Sequence, residues 1–413
     1  MFKVIVQFFI HLLLPQKPLT ATRFQPKPLS KETPLREQID VRIIWVLGFL
    51  LIFGLIMVYS SSIGLSELRS MRDFHPGHFL FRQTLFVLFS LVVATFIFQM
   101  PMYQWQHIAP YLFLLSLFLL GLVLLPQVGK LVNNARRWIP LGPVMLQPSE
   151  LMKFAVIVYT AQYCINKQKK GVITRWVHGL LPMLIMLFIL MIELLLQPDL
   201  GALIVICSVA LGILFLGGSS IKPLLVIGCL FLAAVAAVIA TSLRARRVLA
   251  FLNPWSPEFI KTEGYQLTNS LIAFGRGELF GVGLGNSVEK LTHLSEAHTD
   301  FILAIIAEEL GFISVCIVVA CYIFLVSRAF RLGRKAQAQE KIFESLVAQG
   351  IGLWLGLQSG VHLCVNAGAL PTKGLTLPFI SYGGSAMFMS LLAMAVLLRI
   401  DYEVRRDVKG MTV

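Results

Sequence analysis

The sequence predicts an all-α integral membrane protein, a polytopic bundle of about ten transmembrane helices with a large outward-facing loop before the eighth. Three observations predict it. The 413 residues are 57% apolar, with a mean hydropathy of +0.79. Only 14% are charged, against about a quarter in a soluble domain. Apolar segments recur along the chain, several near the about 20 residues that a helix needs to cross a bilayer. Helices and closed barrels alone satisfy every backbone polar group in lipid, and runs of this kind read as helices. A water-soluble enzyme is excluded.

The elements follow in order. Met1 to Leu14 pairs a basic residue with an apolar stretch, but the run is too short to span and no small-residue cleavage site follows. Residues 1–41, rich in Pro and Lys, are expected to form a largely disordered cytoplasmic extension. Ten spans are expected at about 42–63, 79–99, 108–126, 150–166, 177–196, 200–217, 222–241, 300–326, 344–366 and 384–400. Pro198, in Gln197-Pro198-Asp199, stops helix propagation, so the apolar stretches on either side count as two spans. The membrane domain is expected over 42–403, with a cytoplasmic tail at 404–413.

The net charge of +14 would suggest nucleic acid in a soluble chain. Here it reads as membrane sidedness, and no nucleic-acid partner is expected. With both termini inside, 21 basic residues lie on the cytoplasmic side and 14 outside, the sign the positive-inside rule requires. Residues 242–299 hold no run long enough to span and are placed outside. Arg244, Arg246 and Arg247 break the charge rule there, which long loops partly escape. An outward anion site is the preferred reading, because this loop also holds the densest motif. The six cysteines form no C-x-x-C pair and read as small apolar packers.

No P-loop, G-x-S-x-G, H-E-x-x-H or D-x-D metal motif is present, so no nucleotide-driven reaction is signalled. Three polar sets remain. Asn133-Asn134-Ala135-Arg136-Arg137-Trp138, followed by Gln147-Pro148-Ser149-Glu150 and Lys153, is either an interfacial anchor or a cationic patch for a lipid phosphate. Glu296-Ala297-His298-Thr299-Asp300-Phe301 runs into a span containing Glu308 and Glu309. Glu308 lies about 12 Å deeper than Asp300 at 1.5 Å per residue. Carboxylates at that depth need partners, so Glu308 and Glu309 are expected to hold helices together, and Asp300, at the water boundary, to transfer protons. The third set, from Leu370 to Ser385 through Lys373, is dense in Pro and Gly. Residues 367–383 are expected to form an outer re-entrant-like loop, buried in protein or lining a wet cavity.

The stretches NNARRWIPLG and QPSELMK (within 133–153), QPDLGA (197–202), RRVLAFLNPW (246–255), GYQLTNSLIAFGRGELFGVGLGNSVEKL (264–291), EAHTDFILAIIAEELG (296–311) and LPTKGLTLPFISYGGS (370–385) resemble the SEDS family. These shape, elongation, division and sporulation proteins are polytopic peptidoglycan glycosyltransferases, and the likeness runs from about Ile44 to Glu403. GLGNSVEKL, the LPTKGLTLP spacing and the long extension look more like the division member than the elongation member. Three positions depart: His362 replaces a usual Asn, Cys364 a common Gly and Ser295 a usual Pro.

The resemblance implies polymerisation of lipid II into glycan strands outside the cytoplasmic (inner) membrane, at the septum, with undecaprenyl diphosphate leaving. Asp300 matches the essential Asp of the HTDF motif and would be the base. Arg136, Arg137, Lys153, Arg246, Arg247 and Lys373, with Glu296 and His298, would bind diphosphate or sugar. Inversion from an α-linked donor to a β-1,4 product requires no covalent nucleophile. No cofactor is implied with certainty, and a divalent cation on the diphosphate is the one candidate. Implied partners are membrane lipids, a single-span class B penicillin-binding transpeptidase and division-regulator membrane proteins. Two other classes compete: a proton-driven lipid II flippase using Glu193, Glu308 and Glu309, and a non-catalytic division scaffold.

Overall fold

The computed structural model describes residues 39–68, 77–132, 135–142, 144–239, 242–292, 294, 296–372 and 374–408. The expected extension up to residue 38, Asn133, Asn134, Ser295, Lys373 and the tail from residue 409 lie outside the described residues.

Each expected apolar segment falls on a helix: α1 (Val41–Leu68), α2 (His78–Gln99), α3 (Met102–Val123), α4 (Pro148–Lys169), α5 (Leu181–Leu196, entered through a π turn at Trp176–Leu180), α6 (Leu200–Leu216), α7 (Ile221–Ile239), α11 (Ile302–Ala338), α12 (Ile342–Asn366) and α13 (Gly384–Val408). Among the described residues, six helices are long and apolar enough to cross a membrane: α1, α2, α3, the Trp176–Leu196 helix, α11 and α13. Helices α4 and α12 miss that measure for a physical reason. They run through the middle of the bundle and bury polar side chains, Ser149, Glu150, Lys153 and Thr160 on α4 and Gln349, Gln358, His362 and Asn366 on α12. Their lipid shield is protein. The peripheral helices do the reverse, turning Phe81, Phe89 and Phe96 of α2 and Phe118 of α3 outward.

Local sequence sets the helix ends. Pro148 occupies the first turn of α4, where its missing N–H costs nothing, with Glu150 near the positive end of the dipole and Lys167 and Lys169 in the last turn. The Gln197-Pro198-Asp199 break separates α5 from α6, and Asp199 caps α6 by accepting from the Ala202 N–H at 3.4 Å.

Two features correct the expected outline. The chain is not purely α. Residues between α3 and α4 form a small antiparallel sheet in the order β1 (Lys130–Val132), β2 (Ala135–Leu141) and β3 (Val144–Leu146). Its register pairs Lys130 with Trp138 and Ile139 with Leu146. Residues 242–299 are likewise not a plain outer loop. They contain α8 (Ser242–Leu252), α9 (Tyr265–Gly277) and the single turn α10 (Glu289–Thr292).

The stretch after α9 reaches a break inside α11. Gly311 has φ 76°, and a Cβ there would meet the Leu279 carbonyl oxygen at 2.4 Å, so the crossing requires glycine. The Glu308 and Glu309 carbonyls, freed from the helix ladder, accept from the N–H groups of Val282 (2.9 Å) and Gly283 (3.0 Å). The Phe312 N–H donates to the Glu278 carbonyl at 2.9 Å. Irregular backbone in an apolar protein is thus paired group by group.

The bundle's other end is tied by charge. The Asp40 N–H donates to Asp401 at 2.6 Å, Arg405 pairs with Asp401 at 2.9 Å, and Arg328 lies 3.3 Å from Asp40. The start of α1 and the end of α13 therefore meet at the end opposite the site described next.

Candidate active site

Asp300 lies in a tight turn, 296–301, that enters α11. The turn closes on itself through Thr299 N–H and Phe301 N–H to the Glu296 carbonyl, and the Thr299 hydroxyl donates to the Glu296 carboxylate at 2.8 Å. Its outward carbonyls are taken by other segments. The His298 carbonyl accepts from Tyr382 N–H (2.9 Å), Thr299 from the Ser381 hydroxyl (2.7 Å) and Asp300 from the Asn366 amide (2.9 Å). Phe301 occupies the N-cap position of α11 without a side-chain bond, so Asp300 is not that helix's cap.

The Asp300 carboxyl rests against backbone. A Cβ on Gly374 would sit 2.6 Å from its Oδ2, so a side chain there would displace the acid. Burial pushes the carboxyl up to about 7, Glu296 and Asp199 push the same way, and Arg137 opposes them. A carboxylate held near neutrality is suited to taking a proton from a hydroxyl.

Arg137 lies on β2. Its Nε donates to the Gln197 carbonyl at 3.0 Å and its Nη2 to the Pro198 carbonyl at 2.5 Å, bracing the α5–α6 break. A guanidinium has five N–H donors, so others are left for an anion. Arg136, its neighbour on the strand, sits where the pairing with β1 slips by one residue, Leu131 facing Arg136 and Lys130 facing Trp138.

The remaining expected residues divide. Lys153 is buried rather than open to a substrate: it is 2% exposed, its ammonium donating to Glu150 at 2.7 Å and Gln358 at 2.9 Å. It lies one turn into α4, with protein on every side. Arg246 is exposed on α8, bound to Glu263 at 3.0 Å and Glu258 at 3.4 Å, and Arg247 is exposed beside it. The His298 ring packs between Phe79 and Tyr382, with centroids 4.9 and 5.5 Å away. Lys373 lies outside the described residues. Glu308 accepts from Arg276 at 3.2 Å, from the Val288 N–H at 3.0 Å and from the Ser287 hydroxyl. Glu309 accepts from Lys290 at 2.6 Å and the Ser60 hydroxyl at 2.7 Å. Both glutamates are fully buried.

Sequence reasoning passed over several partners. Asp199, besides capping α6, accepts from the Ser149 hydroxyl at 3.1 Å and faces Asp300 closely enough to raise it. Its signal was present: an Asp just before an apolar run is an N-cap. Gln358 and Asn366 carried no signal of their own in the sequence, and His362 stood out only as a departure from the family's usual Asn. Among the described residues no three His, Cys, Asp or Glu side chains converge to hold a metal ion.

The comparisons agree with this architecture. Residues 41–406 match the family described as cell cycle protein, FTSW_RODA_SPOVE. A protein of Aromatoleum aromaticum called "Probable peptidoglycan glycosyltransferase FtsW" is 48% identical over 378 residues, covering 91% of each chain. A protein of Burkholderia thailandensis with the same name is 45% identical over 379 residues, 90% of this chain and 80% of that one. Among solved structures, a chain of a peptidoglycan synthase complex that coordinates polymerization and crosslinking superposes with a TM-score of 0.69 at 26% identity. The match covers 89% of this chain and 98% of that one. The Thermus thermophilus rod shape determining protein RodA gives a TM-score of 0.62 at 26% identity, with the same coverage. The match to the family spans nearly all of the helical bundle, and the chain belongs to the SEDS (FtsW/RodA/SpoVE) family of cell cycle proteins.

Proposed function

We propose that this protein is the division-specific peptidoglycan glycosyltransferase of its cell, polymerising lipid II with loss of undecaprenyl diphosphate. The observation that carries the reading is Asp300: a carboxyl at the mouth of α11, set against the Gly374 backbone in a turn held by the 381–382 segment and by α12. The acceptor 4-hydroxyl gives its proton to Asp300 as its oxygen attacks the donor's anomeric carbon. The bond from that carbon to the diphosphate breaks, the electron pair leaves with the diphosphate, and the anomeric configuration inverts. Negative charge builds on the leaving group, so fixed cations lower the barrier. Arg137 through its spare donors, Arg136, Arg246, Arg247 and Lys373 are the candidates. Lys153, buried against Glu150, acts by holding α4 in place.

All ten apolar helices are read as spans, with both chain ends cytoplasmic and the Asp300 end facing outward. This orientation follows the excess of basic residues on one side. The similarity to a chain of a peptidoglycan synthase complex supports a class B transpeptidase partner. The similarity to proteins called FtsW supports action at the septum, where division regulators would bind.

Purified protein given labelled lipid II separates the readings. Glycan polymer in detergent is the expected result. Transbilayer movement without polymer would identify a flippase instead, and neither activity would leave a scaffold.

A further inference from the structure

Three side chains on one face of α12, spaced four residues apart, donate to backbone carbonyls around the proposed base. The Gln358 amide donates to the Thr376 carbonyl at 2.8 Å, His362 Nδ1 lies 2.6 Å from the Leu375 carbonyl, and the Asn366 amide donates to the Asp300 carbonyl at 2.9 Å. Positions i, i+4 and i+8 lie along one helix face, each step about 6 Å further along the axis. The three donors thus form a ladder facing the irregular 374–376 segment and the end of the Asp300 turn.

Chemistry fixes each rung. The Gln358 oxygen accepts from Lys153 at 2.9 Å and from the Trp354 indole at 2.7 Å, both groups that only donate. Its amide nitrogen therefore faces Thr376. A carbonyl only accepts, so His362 must bear its proton on Nδ1 to bond Leu375. The Asn366 amide also donates to the His362 carbonyl at 3.0 Å, and a flipped amide would aim its oxygen at two carbonyls. Asn366 is itself anchored, its carbonyl accepting from the Ser270 hydroxyl of α9 at 2.8 Å. All three side chains are buried.

The segment they hold is the one Asp300 leans on. Gly374 has no side chain between its backbone and Asp300 Oδ2, and on the other flank Gly201 of α6 comes close to Leu375. The segment is thus set between the tip of α6 and the Asp300 carboxylate, and its depth along α12 is set by the ladder.

We infer that Gln358, His362 and Asn366 are positioning residues, a donor ladder on α12 that fixes the Gly374–Thr376 segment and the Asp300 backbone relative to each other and so aims the base at the acceptor hydroxyl. The inference rests on Asp300 acting as the base. Among the described residues the ladder makes no contact with the reacting atoms or with Arg136, Arg137, Arg246 and Arg247, so its loss is expected to lower turnover more than lipid II binding.

The test uses full-length protein in detergent, with kcat, KM for lipid II and thermal stability measured together. His362→Leu keeps bulk and removes the donor; His362→Ala is the milder variant if Leu impairs folding. Either is expected to lower kcat by about 10- to 100-fold, the scale of a misplacement near 1 Å, with KM little changed. His362→Asn places an amide nitrogen at the same distance from the backbone as Nδ1, and is expected to keep the rate within about threefold. In an Asp300→Asn background His362→Leu should cost almost nothing more, because both changes act through one group. Wild-type kcat in folded His362→Leu or His362→Ala would overturn the ladder. So would kcat and KM changing in equal measure, failure of His362→Asn to restore the rate, or full additivity with Asp300→Asn. Near-wild-type activity of Asp300→Asn alone would instead remove the base reading on which the ladder depends, and is seen in that variant without any change on α12.

Discussion

Asp300→Asn protein is expected to lose about 10²- to 10⁴-fold of its lipid II polymerising rate while still binding lipid II. Asn keeps the size and an acceptor oxygen but cannot take a proton. A helix-capping role would predict the opposite, because Asn is also a good N-cap residue. The structure already weighs against capping, since Phe301 holds that position. Arg246→Ala serves as contrast. If Arg246 holds diphosphate in both ground and transition states, its loss should weaken binding and turnover together. Single-turnover polymerisation paired with a lipid II binding measurement separates the two patterns. Near-wild-type turnover by a folded Asp300→Asn protein would reject the base.

The second large effect falls on stability. Lys290→Met leaves Glu309 buried with its cation gone and the Ser60 hydroxyl as its remaining partner. Removing one member of a buried pair costs about 3–5 kcal/mol, because the other charge stays uncompensated. The expected result is a clear drop in the thermal unfolding midpoint in detergent. Lys290→Met combined with Glu309→Gln should recover most of it, since no charge then remains at that point. An unchanged midpoint in Lys290→Met alone would show that the pair does not anchor the stretch after α9 to the α11 break.

The fold was legible where lipid dictates composition. Each apolar segment became a helix, and Pro198 marked the α5–α6 break because a proline past the first turn leaves the helix ladder without an N–H. The hairpin around Arg136 and Arg137 was not legible. Seven residues of mixed polarity at an interface fit an anchor, a loop or a strand, and pairing between strands is not written in one segment. Nor was the path of the chain after α9. Residues 242–299 are too polar to span, but Arg276 and Lys290 reach carboxylates inside α11, and only the tertiary structure brings those charges together.

Asp300 was legible because an acid at the mouth of an apolar run stands out. Its surroundings were not. Lys153 looked like an available cation, yet Glu150, three residues earlier on the same helix face, neutralises it. Gln358, His362 and Asn366 share the periodicity of a buried face, and their role depends on the irregular segment that follows α12 folding back beside them, with Asp300 brought in from 66 residues away.

The pH dependence of kcat/KM for lipid II polymerisation tests the central claim most directly, since it reports the ionisation of the free enzyme's essential base. With the Asp300 carboxyl raised to about 7, activity should climb with pH through an inflection near that value as the base becomes ionised. Glu296 is one of the groups that raise it. Glu296→Gln removes a neighbouring negative charge, makes ionisation easier and should move the inflection to lower pH. A wild-type profile without an inflection near neutrality, or one that Glu296→Gln leaves in place or moves upward, would contradict the account.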